Sequence, residues 1–316
     1  MRANLSKDYH CTFSIERFGT FLMTLIPFDD RDGWIWMNGD FVPWRDAKVH
    51  VLTHGLHYGS CVFEGERLYN GEIFKLTPHT KRLFRSAEIL EMEIPFTVEE
   101  IDAACKATVA KMGFENAYIR PVAFRGPEQM GVAAQQTRTH VAIAAWEWPS
   151  YFDPEVKRKG IRLMPAPYIR PAPNMAPTEA KAAGLYMICT LSKHAAERAG
   201  YADAMMLDYR GYVAEATGAN IFFVRDGVIY TPTPDCFLNG LTRQTVIDLA
   251  RSRGFTVEET HIRPEELATF SECFITGSAA EVTPVSEIGA YHFTPGNLSL
   301  SLMEDYSLLV RGELKL

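Results

Sequence analysis

The chain has 316 residues, 47% of them hydrophobic and 22% charged, with a formal net charge of -7 at neutral pH and an isoelectric point near 5.8. That length accommodates two ordinary domains with a core each, and the composition excludes a disordered chain. The acidic balance leaves no broad basic surface to neutralise a nucleic-acid backbone, and no apolar run reaches the roughly 20 residues that a membrane-spanning helix needs.

Residues 1–33 read as an N-terminal extension. Its most apolar stretch, residues 18–28, makes a poor signal peptide, because Glu16 and Arg17 give a leader of mixed charge and no A-x-A site follows; Met23 is a candidate internal start. Two hairpins come next, turning at Asn38-Gly39 and Asn70-Gly71, dipeptides that tolerate the positive φ of a tight primed turn. After Thr77-Pro78 the spacing of Leu83, Ala87 and Leu90 predicts an amphipathic helix that Pro95 closes off. Thr97 and Glu100 form a capping box at the start of another helix, which ends near Gly113. Strands are expected at 117–124 and 139–148.

Breakers and charge from Pro149 to Gly160 mark the best domain boundary. The expected division is a smaller domain over 34–150, a linker over 151–160 and a larger domain over 161–316. The latter carries a strand at 161–164, a proline-rich loop, a helix at 184–198, strands at 204–207 and 221–224, a hairpin at Asp226-Gly227, a helix at 242–253 and a strand at 273–276. The fold class expected is α/β (α+β), each domain a mixed sheet with packed helices. The six cysteines are scattered without a CxxC pair, which argues against a zinc ribbon or redox dithiol and for reduced thiols in a cytoplasm.

Four segments of the second half are chemically complementary: Glu179-Ala180-Lys181-Ala182-Ala183-Gly184-Leu185-Tyr186, Glu215-Ala216-Thr217-Gly218-Ala219-Asn220, Asn239-Gly240-Leu241-Thr242-Arg243, and Thr276-Gly277-Ser278-Ala279-Ala280-Glu281. Lys181, between a proline-rich loop and a helix, offers an amine with small neighbours and no salt-bridge partner in sequence. Glu215, in the run Val213-Ala214-Glu215-Ala216, is a carboxylate that needs a cationic or protonated partner if buried. Leu241 and Thr242 open a helix, and Gly277-Ser278 turn after a strand, so both places present unpaired N–H groups to an anion. An amine, a carboxylate for a ring nitrogen and a phosphate cradle together describe a pocket for pyridoxal 5'-phosphate. Each residue also has a plainer reading: a solvated Lys181, an arginine salt bridge for Glu215, a core Tyr186, a solvated Arg82 and simple helix capping by Thr242.

With these four, the segments 49–59 (VHVLTHGLHYG), Val62-Phe63-Glu64-Gly65-Glu66-Arg67, Ala117-Tyr118-Ile119-Arg120-Pro121 and Met130-Gly131-Val132 resemble the branched-chain amino acid aminotransferases, over nearly all of the chain from Trp34 to Pro284. The resemblance implies the two-domain fold type IV of pyridoxal phosphate enzymes, a homodimer or dimer-based hexamer, and transamination of branched-chain L-amino acids with 2-oxoglutarate. It makes Lys181 the Schiff-base lysine and proton carrier, Glu215 the ring-nitrogen partner, Tyr186 the partner of the phenolic oxygen and Asn220 a support on the ring side. It gives the phosphate to Arg82, Leu241, Thr242, Gly277 and Ser278. Tyr58, Phe63, Trp148 and Tyr151 would wall an apolar pocket, Arg67, Tyr118 and Arg120 would handle carboxylates, and Ser278 and Ala279 would border the substrate. The turn bearing Val132 would reach into a partner subunit's site. Leu185, Ala219, Asn239 and Ser278 depart from the family's usual residues and leave substrate preference open.

Two rival readings follow from the same residues. A D-amino acid aminotransferase or an aminodeoxychorismate lyase would keep fold and cofactor, with Tyr118-Ile119-Arg120 and Met130-Gly131-Val132 favouring the branched-chain assignment. A non-catalytic metal-binding module would rest on His50, His54 and His57, although Gly55 and Gly59 are expected to interrupt any helix presenting them.

Overall fold

The computed structural model describes residues 26–148 and 154–316. It contains two sheets, of seven and nine strands. In the first the order is Asp40–Pro43, Trp34–Met37, Thr139–Glu147, Ala117–Arg125, Glu66–Tyr69, Glu72–Ile73, and Cys61–Phe63 also pairs with Ala117–Arg125. Both Asn-Gly turns form where expected, with Asn38 and Asn70 at φ 53° and 49°. Pro121 lies inside the long strand Ala117–Arg125. It is tolerated because Glu66–Tyr69 pairs with residues 117–119 and Cys61–Phe63 with 122–124, so the missing N–H falls between two partners.

Helices Leu76–Ile89 and Val98–Met112 cover one face of this sheet. The first begins earlier than expected, because Pro78 sits in the first turn, where no intrahelical N–H is needed. The second carries the capping box, with Glu100 N donating to Thr97 Oγ1 and Thr97 N donating to Glu100 Oε2. Strand alternation divides the sheet. Val62, Leu68, Ala117, Ile119, Val141, Ile143 and Ala145 enter a core with Leu83 and Ala87 of the first helix. Phe63, Arg67, Tyr69, Tyr118, Arg120 and Trp146 therefore face the other way, and Tyr69 packs into a core of the second half with Phe222, Phe274 and Tyr306.

The larger sheet runs Val213–Ala216, Asp203–Leu207, Ile161–Pro165, Glu281–Ile288, Glu272–Gly277, Asn220–Arg225, Val228–Pro232, Val257–Thr260. Val213–Ala216 also pairs with Asn220–Arg225 through Glu215 and Asn220, so six strands close into a ring at those two residues. Strand Glu281–Ile288 and helix Asn297–Val310 are additions to the elements expected from sequence. Pro284 argues locally against a central strand, yet it is accommodated beside Phe274, and a register irregularity follows it. The helix buries Leu298, Leu302, Tyr306 and Val310 at four-residue spacing. Within the expected linker, Pro154–Lys159 is a short helix whose last turn carries Lys157, Arg158 and Lys159, the sign favoured at a C-terminus. Nor do Gly55 and Gly59 prevent a helix: His54–Tyr58 is helical with Gly55 inside it, and Gly59 ends it at φ 68°. Among the described residues no helix is long and apolar enough to cross a membrane.

Candidate active site

The stretch from Pro165 to Lys181 leaves the second sheet and crosses to the first. Ala166 N and Arg170 N donate to Met205 O and Leu207 O, which hold its beginning to the larger sheet. At its far end Ala182 bridges Val62, Phe63 N donates to Lys181 O at 3.1 Å, and Lys181 N donates to Ser86 Oγ at 3.0 Å. Ala180 and Ala182 are buried in the core of the first half. In an extended segment that sends Lys181 to the opposite side, into a cavity where the two halves meet. The space in this cleft, including the part open to solvent, is about 500 Å³.

Inside it Lys181 Nζ donates to Tyr186 OH at 2.8 Å, and Tyr186 opens helix Tyr186–Arg198. Phe63 stands beside both, its ring centre 5.0 Å from the amine and 4.9 Å from the Tyr186 ring. Glu215 enters from the closing strand, whose register irregularity between Val213 and Glu215 re-aims the side chain. It is 7% exposed. Burial raises its pKa to about 7 in spite of the opposing charges of Arg170 and Lys181. Arg170 Nε lies 3.1 Å from Glu215 Oε1 but off the hydrogen-bonding direction, and Asn220 Nδ2 donates to Glu215 Oε2 at 3.3 Å. Both readings of Glu215 are thus physically present: the carboxylate has an arginine neighbour and also faces the cavity.

Opposite the amine, helix Leu241–Ser252 starts at Gly240 with no side-chain cap, leaving first-turn amides without intrahelical partners. Asn220 Oδ1 accepts from Gly240 N at 3.1 Å, and a Cβ at Gly240 would come within 2.3 Å of that oxygen, so only glycine lets the brace form. The buried Arg243 fastens the same helix, donating to Asn239 Oδ1, Pro232 O and Glu259 Oε2. Gly277 brings its turn against Gly218, whose carbonyl would lie 3.2 Å from an added Cβ. Arg82 lines the same cavity; Glu64 takes its Nε and Nη2, and Nη1 is buried without a partner. Thr276 Oγ1, also on the lining, is buried and unpartnered. Uncapped amides, an unused guanidinium nitrogen and a spare hydroxyl fit a phosphate, and an amine and a carboxyl beyond them fit a pyridine aldehyde.

The cavity brings together Arg82, Lys181, Tyr186, Glu215, Asn220, Leu241, Thr242, Gly277 and Ser278. Thr217 and Thr276, which belong to the four segments but carry no expected role, also line it, as does Arg170, which the sequence does not single out. Arg170 is hidden in a proline-rich loop, and its sequence signal is only a cation between Ile169 and Pro171. On the substrate side Arg120 Nη2 donates to Tyr118 OH at 3.1 Å and the guanidinium sits 4.6 Å from the Phe63 ring centre. Tyr118 stacks on Trp146 and tilts against Trp148 at 5.1 and 5.0 Å. Ala279 borders an adjoining cavity with Tyr186 and Lys193. Arg67 shares the face of Tyr118 but lies over Tyr69 and lines a smaller cavity with Leu241, Thr242 and Ser278, beside the start of helix Leu241–Ser252. Tyr58 and Val132 are 46% and 86% exposed and do not line the cavity. Tyr151 lies outside the described residues. The three histidines of the metal reading engage backbone instead: His54 contacts Gly131 O, His57 contacts Val51 O, and His50 accepts from Leu52 N.

A sequence model of the family described as "Amino-transferase class IV" matches residues 61–288. The chain belongs to the class IV aminotransferases. Within that family it is 45% identical over 291 residues to the branched-chain-amino-acid aminotransferase of Pseudomonas aeruginosa, covering 90% of this chain and 95% of that one. The T.th. branched-chain amino acid aminotransferase with pyridoxamine 5'-phosphate superposes with a TM-score of 0.87 at 43% identity, over 90% of this chain and 96% of that one. The same enzyme complexed with N-(5'-phosphopyridoxyl)-L-glutamate gives 0.86 at 43% identity, with the same coverage. As a class IV aminotransferase the chain has the mixed α/β architecture of these enzymes, with its two sheets and packed helices.

Proposed function

We propose that this class IV aminotransferase moves the amino group of L-leucine, L-isoleucine and L-valine to 2-oxoglutarate, with pyridoxal 5'-phosphate as its cofactor. The observation that carries the reading is one cavity holding the Lys181 amine, the buried Glu215 carboxyl and the uncapped helix start at Leu241-Thr242. Similarity to the Pseudomonas and T.th. enzymes supports the substrate class. Bound pyridoxal phosphate supplies an aldehyde that carries the amino group and an electron-withdrawing ring.

The residues of the chain do the rest. Lys181 Nζ is the base that removes the substrate's α-proton and delivers it again, and the Tyr186 hydroxyl at 2.8 Å holds that amine in place. Glu215, ionised by a protonated ring nitrogen, keeps the proton there, while Asn220 holds its orientation. Arg82, Thr242, Gly277, Ser278 and the amides of Leu241 and Thr242 bind the phosphate. Phe63 and Trp148, with Tyr58 from a second copy, wall the aliphatic side chain. Arg120, held by Tyr118, meets the second carboxylate of glutamate when that replaces leucine. Arg67 neutralises negative charge from behind the cradle, and Ser278 and Ala279 border the substrate.

Homodimeric assembly is part of the reading: Tyr58 and Val132 lie outside the cavity, apolar and exposed, placed to serve a second copy. The domains are assigned as 34–150 and 161–316, joined through 151–160. A cytoplasmic location is in keeping with five free thiols among the described residues. A panel of donors with 2-oxoglutarate tests the whole. L-leucine should be consumed with formation of glutamate; turnover of D-leucine alone would refute the assignment.

A further inference from the structure

Helix Leu76–Ile89 presents His79, Arg82 and Ser86 on one stripe toward the site, and Glu64 stands against it from the end of strand Cys61–Phe63. Glu64 is fully buried. Its Oε1 accepts from Arg82 Nε at 2.7 Å and its Oε2 from Arg82 Nη2 at 2.8 Å, a two-point bond along one edge of the guanidinium plane. His79 Nδ1 lies 2.7 Å from Glu64 Oε2 and Gly65 N donates to the same oxygen at 3.3 Å. Glu64 is thereby fixed by three groups, and against the effect of burial the Arg82 guanidinium, aided by the His79 contact, holds its carboxyl far below the usual carboxylate range.

A planar guanidinium held along one edge cannot turn. Its remaining nitrogen, Nη1, is buried and has no hydrogen-bond partner, and Arg82 lines the cavity that contains Leu241, Thr242 and Ser278. We propose that Glu64 is the positioning residue of the phosphate site, locked by His79 and fixing Arg82 so that Nη1 is the nitrogen given to the cofactor's phosphate. This rests on the reading of the cavity as a pyridoxal phosphate site.

A mere counter-charge would act in the opposite direction. If Glu64 only neutralised Arg82, its removal would free a positive charge and tighten phosphate binding. Positioning predicts loss, because an unheld guanidinium must be ordered each time the ligand binds.

The test is equilibrium binding of pyridoxal phosphate, and of pyridoxal without the phosphate, to cofactor-free protein, for the parent, Glu64→Gln and His79→Leu. Glu64→Gln should weaken pyridoxal phosphate about tenfold to hundredfold and leave pyridoxal unchanged, and in an Arg82→Ala background it should have no further effect. Unchanged or tighter binding of pyridoxal phosphate, or equal weakening of both ligands, overturns the proposal. Should Glu64→Gln not fold, His79→Leu decides: a severalfold loss confined to the phosphorylated ligand supports positioning, and equal binding of both ligands overturns it. A parent protein that binds neither ligand would instead overturn the reading of the cavity itself.

Discussion

The Lys181 amine donates to the Tyr186 hydroxyl at 2.8 Å, and the two side chains sit at either end of the 3-10 turn Ala183–Leu185. The backbone of Lys181 is meanwhile tied to Phe63 and Ser86 of the first half. The amine thus has a hydroxyl partner from its own segment and a main chain anchored elsewhere. Lys181→Ala should lower kcat by at least about 10³-fold, because the base is gone. In the parent, borohydride treatment with pyridoxal phosphate should leave a pyridoxyl group on the Lys181 peptide by mass spectrometry; a label on another lysine refutes the assignment.

Tyr186→Phe removes the hydroxyl and keeps the ring that packs edge-on against Phe63. The expected loss in kcat is about tenfold, the upper end of what one ordinary hydrogen bond contributes, with little change in melting temperature. Steady-state kinetics beside a thermal scan separates the two effects.

Burial raises Glu215 to about 7 in the cofactor-free chain. A carboxyl raised from about 4.5 binds more protons folded than unfolded through that interval, so its stabilising contribution is complete below about pH 4.5 and is lost as pH rises through 7. The loss amounts to at most about 3 kcal/mol. Denaturant unfolding of cofactor-free protein between pH 5 and 8 should show a decline that Glu215→Gln lessens; identical slopes in the two proteins count against it.

Glu66 is fully buried, its oxygens have no donor in good geometry beyond the weak thiol of Cys105 nearby, and burial with Glu64 and Asp102 close by pushes its pKa well up. An unsatisfied carboxyl of this kind destabilises the fold, increasingly so as pH rises toward its folded pKa. Glu66→Leu should therefore stabilise the protein by about 1–3 kcal/mol. The gain should be larger at pH 8 than at pH 5, as read by denaturant unfolding.

Arg120 is held by Tyr118 and carries a buried Nε without a hydrogen-bond partner. Arg120→Ala should raise KM for 2-oxoglutarate about tenfold to hundredfold, the loss of a charge-assisted bond, while KM for L-leucine moves less. Equal shifts for the two substrates would show that Arg120 does not discriminate the dicarboxylate.

The elements legible in the sequence are those whose cause is local. The Asn-Gly turns need only a residue that tolerates positive φ, the Thr97–Glu100 capping box closes within one turn, and the stripe of Leu83 and Ala87 repeats at helical spacing. Local chemistry likewise marks Lys181, Glu215 and the helix start at Leu241-Thr242 as an amine, an acid and a donor cluster. Strand Glu281–Ile288 is hidden because Pro284 contradicts a central strand locally, and its place depends on neighbours from residues 161–165 and 272–277. Arg170 is hidden because its partner Glu215 is 45 positions away, and only strand pairing and a crossing loop bring them to 3.1 Å. The orphaned Nη1 of Arg82 exists only because Glu64, in the link just after strand Cys61–Phe63, occupies the other edge of the guanidinium. Sequence alone determined which chemical groups this protein carries and the short-range turns and helices that hold them. Tertiary structure decided which of those groups meet and which atoms stay free, because hydrogen-bond satisfaction and burial are set by neighbours far away along the chain.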